Sequence, residues 1–184
     1  MLMTTHAEAI LDQFTRQAPG FATGPALHAD EVLALVVEAA APGSDDRAID
    51  LACGPGSIAC ALAGRAAWVV GLDATPAMLD QAHDLSQRLG LRNVELVQGS
   101  VYAVPYTDGS FNALTGRFAF HHFERPERAF AEMLRLTAPG GRIVLCDGLA
   151  SDEPDKAAAF NAMERQRDPS TVTFRTLDYL RGCS

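Results

Sequence analysis

Five apolar segments alternate with segments of helical periodicity after residue 46, and this alternation constrains the fold more than any other feature of the sequence. Each apolar segment has the length of a buried strand, and each intervening segment can hold a crossover. Strands joined by helices form a parallel sheet that is covered on both faces. The sequence therefore predicts an α/β fold with a doubly wound, mostly parallel sheet. We expect its five strands at residues 47–52, 66–73, 93–99, 110–118 and 142–147.

The segments around these strands predict helices, because their apolar residues recur every three to four positions. We expect helices at residues 5–18, 30–41, 57–65, 76–90, 126–137, 154–167 and 175–181. Turns are expected at the proline and glycine residues of 19–25 and 139–141. The predicted apolar faces of the helices consist of Val32, Val36 and Ala39; Met78, Ala82, Leu85 and Leu89; Phe130, Met133 and Leu134; and Phe160 and Met163.

Length and composition limit the classes of function. A chain of 184 residues predicts one domain, with N-terminal helices at 1–45, a sheet core at 46–148 and a helical segment at 149–184. A formal net charge of −8, without any run of Lys or Arg, argues against nucleic acid as a partner. The sequence contains neither an apolar run of membrane-spanning length nor a secretory signal. Four cysteines without a C-x-x-C pair predict reduced thiols in the cytoplasm and no metal site: Cys53, Cys60, Cys146 and Cys183.

A glycine turn follows the first predicted strand, in the stretch AIDLACGPGSIACAL at residues 48–62. Glycines permit backbone angles that other residues avoid, and they let a ligand touch the main chain. The spacing of Gly54, Gly56 and Ala59 fits the G-x-G-x-x-G/A dinucleotide pattern. Asp73 lies 19 residues after Gly54, where a ribose-binding acid is expected. The turn alone leaves open whether its ligand is a phosphate, a sulfonium cofactor or nothing.

Three further features favour a sulfonium cofactor over a nicotinamide dinucleotide. Asp50 lies at the end of the first strand, where a carboxylate would attract an ammonium or sulfonium group and repel a phosphate. Met78 and Leu79 follow Asp73 by about one helical turn and could form an apolar wall for an adenine. None of the three tyrosines is followed four residues later by lysine, so the Tyr-x-x-x-Lys pair of short-chain dehydrogenases is absent from the sequence.

Four stretches of the sequence resemble, in order and spacing, the successive motifs of class I S-adenosylmethionine-dependent methyltransferases. They are DLACGPGSIACALA, VVGLDATPAML, VQGSVYAVPYTDGSFNALTGRFAFHHF and EMLRLTAPGGRIVLCD. The group that they resemble most is that of the ubiquinone/menaquinone-biosynthesis C-methyltransferases. The resemblance covers residues from about 5 to 175 and implies a Rossmann-like methyltransferase core. It also implies an enzyme that transfers a methyl group from S-adenosylmethionine to a small-molecule acceptor.

The resemblance assigns a set of residues to the cofactor. Asp50, Gly54 and Gly56 would line its methionine part, Asp73 would accept hydrogen bonds from both ribose hydroxyls, and Met78 would pack on the adenine. A carboxylate suits a diol because it has two acceptor oxygens. The full predicted set is Asp50, Ala52, Gly54, Gly56, Asp73, Ala74, Met78, Ser100, Val101 and Arg117.

One cofactor position departs from the pattern of the family. The family has an Asp after the glycine that ends the third strand, where it accepts a hydrogen bond from the adenine amino group. This chain has Ser100 there, which can accept a hydrogen bond but carries no charge. Val101 would supply the neighbouring backbone N–H, and Arg117 would lie near the methionine carboxylate.

His121 and His122, after the fourth strand, are the candidates for catalysis or substrate contact. The alternative is that they only bond the backbone of their loop. Asp147 either faces the substrate or simply ends its strand. The sequence has no Asn/Asp-Pro-Pro-Tyr/Phe signature of amino-group methylation, which favours a carbon or oxygen acceptor. Nearby aromatic residues either line the substrate pocket or pack beneath the loop: Phe118, Phe120 and Phe123.

The C-terminal part departs further from the family. Methyltransferases of this family have two further strands at the end of the sheet, whereas the residues after Asp147 predict helix and loop. The sequence thus predicts a sheet of five strands with the fifth at an exposed edge, which invites pairing. Three alternatives for its cover stay open: the 154–181 segment, a second copy in a homodimer, or a missing piece. Thr171 also stands where the related Arg-Asp-Pro-Ser-His segment has its histidine.

Two rival functions stay open from the sequence. The departures at Ser100, Thr171 and the C-terminal part motivate a cofactor-binding or assembly protein without turnover. The dinucleotide-like glycine spacing keeps an NAD-dependent oxidoreductase as a minor alternative.

Overall fold

The computed structural model describes residues 5–21 and 30–182. The helices are α1 His6–Phe21, α2 Asp30–Ala40, α3 Ser57–Ala63, α4 Pro76–Arg88, α5 Pro126–Leu136, α6 Pro154–Arg167 and α7 Leu177–Gly182. The strands are β1 Arg47–Leu51, β2 Trp68–Asp73, β3 Val94–Gln98, β4 Phe111–Arg117 and β5 Thr137–Cys146. A 3₁₀ turn, Phe120–His122, follows β4.

The five strands form one parallel sheet in the order β3-β2-β1-β4-β5, which confirms the predicted fold class. The direction of strand order reverses between β1 and β4, and their pairing places Asp50 opposite Thr115. Crevices at the carboxyl ends of the strands beside such a reversal are where open α/β sheets bind ligands. The topology therefore brings the glycine turn and the end of β4 to one place.

Helices bury apolar side chains against both faces of the sheet. On one face, Met133 and Leu136 of α5 pack with Phe111, Val70 and Leu72 of the strands. On the other face, the buried cluster joins α2 and α3 to the strands and consists of Val36, Val37, Ala40, Ala48, Ile58, Ala59, Leu62, Ala63, Ala66, Val69 and Ala113. Most residues of the central strands β1, β2 and β4 are buried because helices cover both faces of the sheet, whereas the edge strands β3 and β5 are partly exposed.

The two turns predicted at proline and glycine residues differ from the structure. Pro19 is inside α1, which runs to Phe21, and the rest of the predicted turn at 19–25 lies outside the described residues. β5 begins at Thr137 rather than at 142, so the predicted turn at 139–141 is a bulge within the strand. Gly140 permits this irregularity because its φ is 78°.

Some predicted apolar faces are wrong in detail. Leu89, Leu134 and Met163 are more than half exposed, and Ala39 is exposed while Val37 and Ala40 are buried. In α6, polar residues take the inner positions because they bond a neighbouring loop. Asn161 Nδ2 donates to the Phe174 carbonyl, and Asn161 Oδ1 accepts from the Phe174 N–H at 2.6 Å. Apolar periodicity cannot detect such an inward-facing amide.

The C-terminal segment packs at the carboxyl end of the sheet and does not pair along β5. The N–H groups of Val172 and Thr173 donate to the His121 carbonyl, at 2.9 and 3.1 Å. Leu149 and Arg175 form an isolated parallel bridge. Within the described residues, β5 pairs with β4 alone, so its other edge remains open as the sequence predicts.

Candidate active site

A cavity of about 880 Å³ opens at the carboxyl ends of β1, β2, β3 and β4. It lies beside the reversal of strand order, where such sheets bind ligands. Nine of the ten predicted cofactor residues line it, together with both predicted histidines: Asp50, Ala52, Gly54, Asp73, Ala74, Met78, Ser100, Val101, Arg117, His121 and His122. The structure thus brings together residues that are up to 72 positions apart in the chain, from Asp50 to His122.

The glycine turn between β1 and α3 has an unusual backbone. Ala52, Gly54 and Gly56 all have positive φ, at 55°, 52° and 82°. Gly56 does not line the cavity, and its expected place at the methionine part stays a prediction. A Cβ on Gly56 would lie 2.7 Å from the Cβ of Ala82, and this glycine therefore allows the turn to pack closely on α4.

Asp73 anchors the glycine turn to the end of β2. Its Oδ2 accepts from the Gly54 N–H and its Oδ1 from the Thr75 N–H, each at 2.8 Å. Burial raises the pKa of Asp73, and these backbone donors act in the opposite direction. Each oxygen has a further lone pair, so the carboxyl group can still accept a hydrogen bond from each hydroxyl of a diol.

Asp50 is the second buried carboxyl group of the cavity. Its Oδ1 accepts from the Thr115 hydroxyl at 2.7 Å across the β1–β4 pair. Burial raises the pKa of Asp50 to about 7, although the Thr115 hydrogen bond and the charge of Arg117 both lower it. A positive group in the cavity would stabilise the ionised form of Asp50.

The part of the cavity predicted to hold the adenine is less polar than the part that contains Asp50 and Asp73. Met78 is 2% exposed and forms part of the wall, whereas Ser100 is exposed at the end of β3. The Ser100 hydroxyl accepts from the Tyr102 N–H at 3.2 Å. Ser100 therefore organises its own turn and offers a hydroxyl where the family offers a carboxylate.

The two histidines have different surroundings although both are buried. His121 Nδ1 lies 2.7 Å from Asp147 Oδ1, and the His121 ring stacks on Phe174 with centroids 4.1 Å apart. His122 Nδ1 lies 3.1 Å from both the carbonyl and the hydroxyl of Ser170. Burial, followed by the neighbouring His121, lowers the pKa of His122 to about 4. His122 is therefore a neutral residue at neutral pH.

The predicted aromatic residues divide between wall and core. Phe118 and Phe123 line the cavity, and the Arg117 guanidinium lies 5.1 Å from the centroid of the Phe118 ring. Phe120 instead belongs to the buried core beneath the cavity. Both of the alternatives stated for these residues therefore occur.

Sequence reasoning missed the walls that distant helices supply. Ile10, Leu11 and Phe14 of α1 line the cavity, and so do Phe160 of α6 and Phe174 after it. The amphipathic pattern of α1 indicates an apolar face but not what that face covers. No local pattern indicates that Phe174 lies over His121.

The described cysteines are free thiols, and burial raises the pKa of each: Cys53, Cys60 and Cys146. Cys183 lies outside the described residues. Within residues 5–21 and 30–182, no three His, Cys, Asp or Glu side chains are grouped to hold a metal ion. No helix in that part of the chain is long and apolar enough to cross a bilayer.

The sheet order and the cavity are those of a nucleotide-cofactor fold with an acidic residue, Asp73, at the end of the second strand, a description that dinucleotide-binding proteins also fit. Comparison with known proteins decides between a dinucleotide-binding protein and a methyltransferase. Residues 49–145 match the family model described as methyltransferase domain, and the chain belongs to that family. Its fold is that of class I methyltransferases, which use S-adenosylmethionine as the methyl donor. This membership decides against the oxidoreductase alternative.

Particular relatives agree with the family match. The uncharacterized methyltransferase YcgJ of Bacillus subtilis is 34% identical over 142 residues, which are 77% of this chain and 56% of the relative. A demethylmenaquinone methyltransferase of Thermus thermophilus is 39% identical over 113 residues, which are 60% of this chain and 51% of the relative. The crystal structure of the YcgJ protein superposes with a TM-score of 0.81 at 31% identity, over 84% of this chain and 66% of that one. The chain spans about half the length of the curated relatives it matches.

Proposed function

We propose that this chain transfers a methyl group from S-adenosylmethionine to a carbon or oxygen atom of a small molecule. The observation that supports the proposal is one cavity containing two buried carboxyl groups, Asp50 and Asp73, at the ends of neighbouring strands. Asp73 suits the ribose diol because both of its oxygens are held in place by backbone N–H groups. Asp50 suits the positive charge of the methionine part.

The remaining cofactor residues have roles that follow from their chemistry. Arg117 is the cationic side chain beside Asp50 and is suited to the methionine carboxylate. Met78 and Val101 supply apolar surface for the adenine, and Ser100 supplies a neutral polar group. When bound, the cofactor supplies a methyl group that its sulfonium already activates. The protein then has to align the acceptor and exclude water.

A small acceptor fits the enclosure of the site. The cavity is bounded by α1 and by α6 with the following loop, and its volume suits a cofactor with one modest organic molecule. The net charge of −8 disfavours a polyanionic acceptor such as nucleic acid. Relatives named for demethylmenaquinone support an apolar acceptor. The free thiols of Cys53, Cys60 and Cys146 support a cytoplasmic location, and the open edge of β5 supports a homodimer.

Calorimetry with S-adenosylhomocysteine and with NAD tests the choice of cofactor. We expect one equivalent of S-adenosylhomocysteine to bind and NAD to give no binding heat. The opposite result would reject methyl transfer. Turnover of a panel of phenols and enols then separates an enzyme from a protein that binds the cofactor without using it. Persistent lack of turnover with intact cofactor binding would support the second alternative.

The affinity for S-adenosylhomocysteine is expected to increase with pH through neutrality. The folded pKa of Asp50 is about 7, so the carboxyl group is mostly neutral at pH 6 and mostly ionised at pH 8. Only the ionised form attracts the ammonium group of the ligand, which predicts about a tenfold gain in affinity across this range. The Asp50→Asn variant should bind with an affinity that does not change between these pH values. An equal pH dependence in both proteins would exclude Asp50 as its source.

A further inference from the structure

His121 and Asp147 form a hydrogen-bonded dyad, and His121 is the member of this dyad that lines the cavity. Asp147 Oδ1 accepts from His121 Nδ1 at 2.7 Å and from the Gly148 N–H at 2.8 Å, and Asp147 Oδ2 accepts from the His121 N–H at 3.0 Å. Three donors therefore hold this carboxylate. Because a carboxylate only accepts, His121 Nδ1 carries the proton and Nε2 carries the lone pair.

The ring of His121 is fixed, yet its Nε2 atom is left for a ligand. Phe174 stacks on the ring at an interplanar angle of 11°, and the His122 ring lies 4.0 Å away. Gly148 lets Phe174 approach, because a Cβ on Gly148 would lie 2.7 Å from that ring. Within the described residues, the hydrogen bonds of His121 involve its backbone groups and Nδ1, and none involves Nε2. His121 lines the cavity, so Nε2 is the ring nitrogen that remains for an acceptor.

The neighbouring histidine lacks this arrangement. His122 Nδ1 is bonded to Ser170, and the His122 carbonyl is bonded to Nε2 of His6 at 2.7 Å. Phe14 packs edge-on against the His122 ring at 5.0 Å. His122 therefore connects α1, the 3₁₀ turn and the C-terminal loop. The ring of His122 thus bonds Ser170 where the ring of His121 bonds a carboxylate, and this partner distinguishes the two histidines.

The walls near the dyad restrict the chemistry of the acceptor. Apolar side chains of α1 and of the C-terminal segment make up much of this side of the cavity: Ile10, Leu11, Phe14, Phe160 and Phe174. The charged lining residues here are mainly acidic. Glu164 is 8% exposed and pairs with Arg167, and Asp168 accepts from the hydroxyl and N–H of Ser170. Arg167 also lines this side of the cavity but is already paired with Glu164, so an acceptor with a phosphate or carboxylate would meet mainly carboxylates here.

We propose that the His121–Asp147 pair is the general base of the methyl transfer, and that the acceptor is an uncharged, apolar molecule whose reacting hydroxyl or enol gives its proton to His121 Nε2. This inference rests on the proposed function. His121 is the catalytic residue, and Asp147 is a positioning residue that fixes the tautomer and stabilises the imidazolium. His122 has no catalytic part.

The step balances without a further reactant. The O–H bond of the acceptor breaks and its proton goes to Nε2, while the new bond forms between the acceptor and the methyl carbon. The carbon–sulfur bond breaks with its electron pair going to sulfur, which leaves neutral S-adenosylhomocysteine. Where a carbon conjugated to that oxygen is methylated, the carbon afterwards loses its own proton and the oxygen regains one. The imidazolium finally releases its proton to water.

The test uses 4-nitrophenol as a probe, because its phenolate absorbs visible light and its phenol does not. The protein is first saturated with S-adenosylhomocysteine, and the phenolate fraction of the bound probe is read at pH 6. Titratable groups around the dyad are few: Asp147 and His122 face His121, and His6 and Asp168 lie beyond His122. We expect the bound probe to be more ionised than the free probe in the wild-type protein.

Two variants and a control identify the source of that ionisation. The His121→Gln variant should lower the phenolate-to-phenol ratio of the bound probe about tenfold, which corresponds to one unit in the pKa of the probe. Residue 121 bonds the C-terminal loop and Asp147 through its backbone, so this variant keeps those contacts. The Asp147→Asn variant should also lower the fraction while still binding the probe. The control, His83→Gln at an exposed position of α4, should behave as the wild type.

The outcomes separate the inference from the proposed function. An unchanged phenolate fraction in folded His121→Gln protein would overturn the dyad as base. The inference would also be overturned if the protein saturated with S-adenosylhomocysteine did not bind the probe, or bound it without ionising it. Absence of S-adenosylhomocysteine binding in the first step would instead contradict the proposed function itself.

Discussion

Replacement of Asp73 by alanine is expected to weaken the binding of S-adenosylhomocysteine by about 1–3 kcal/mol, or roughly 5- to 150-fold in Kd. The variant removes both acceptors for the ribose hydroxyls, and those hydroxyls lose their water on binding. It also leaves the N–H groups of Gly54 and Thr75 without their acceptor, so the glycine turn loses its link to β2. Calorimetry at a temperature where the variant is folded measures the loss.

Another aspartate close to Asp73 in the sequence provides a matched control. Asp80 lies on α4 and is exposed, so Asp80→Ala should bind as the wild type does. Thermal unfolding of the ligand-free proteins shows how much of the effect comes from the lost backbone bonds. If folded Asp73→Ala protein binds S-adenosylhomocysteine with wild-type affinity, the ribose does not lie at Asp73.

The Gly56→Ala variant is expected to lose about 2–5 kcal/mol of unfolding free energy. Two costs combine here. The φ of 82° is in the left-handed region that disfavours any residue with a Cβ, and the added Cβ would lie 2.7 Å from the Cβ of Ala82 and 3.0 Å from its Cα. Urea denaturation measures the change, because the unfolding free energy falls linearly with denaturant.

A control and a double variant distinguish the two costs. Gly64 has a φ of −69° at the end of α3, and its Cβ would meet only the Ala61 carbonyl at 3.4 Å. Gly64→Ala should therefore change stability little. Combining Gly56→Ala with Ala82→Gly, measured against Ala82→Gly alone, should recover the part of the loss that comes from the Ala82 Cβ, and leave the backbone part and the contact with the Cα of residue 82. A Gly56→Ala protein as stable as the wild type would show that the turn does not pack on α4 as described.

Much of the fold follows from local sequence. The observed strands begin and end within two residues of their predicted positions except at the start of β5, because each strand is an apolar run bounded by polar or glycine residues. The start of β5 is different because the bulge is set by pairing with β4. Phe111 pairs with Thr137, and Ala113 pairs with Arg142. Only the partner strand reveals that register.

The candidate site is predictable where a motif carries it. Asp50, Gly54 and Asp73 are recognisable because they lie at the carboxyl end of a strand or in the turn just after it, and all three line the cavity. The acceptor side is not predictable in this way. Phe14 and Phe174 reach the cavity from distant parts of the chain, and the difference between His121 and His122 depends on Asp147 and Ser170. Adjacent residues in the sequence thus acquire different roles from tertiary contacts.

A crystal structure with S-adenosylhomocysteine tests the central claim most directly, since the claim places the cofactor across the carboxyl ends of β1, β2 and β3. We predict that both ribose hydroxyls donate to the Asp73 carboxylate, with the ammonium group of the ligand beside Asp50. An empty cavity in crystals grown at saturating ligand, or a ribose bound away from Asp73, would contradict the account.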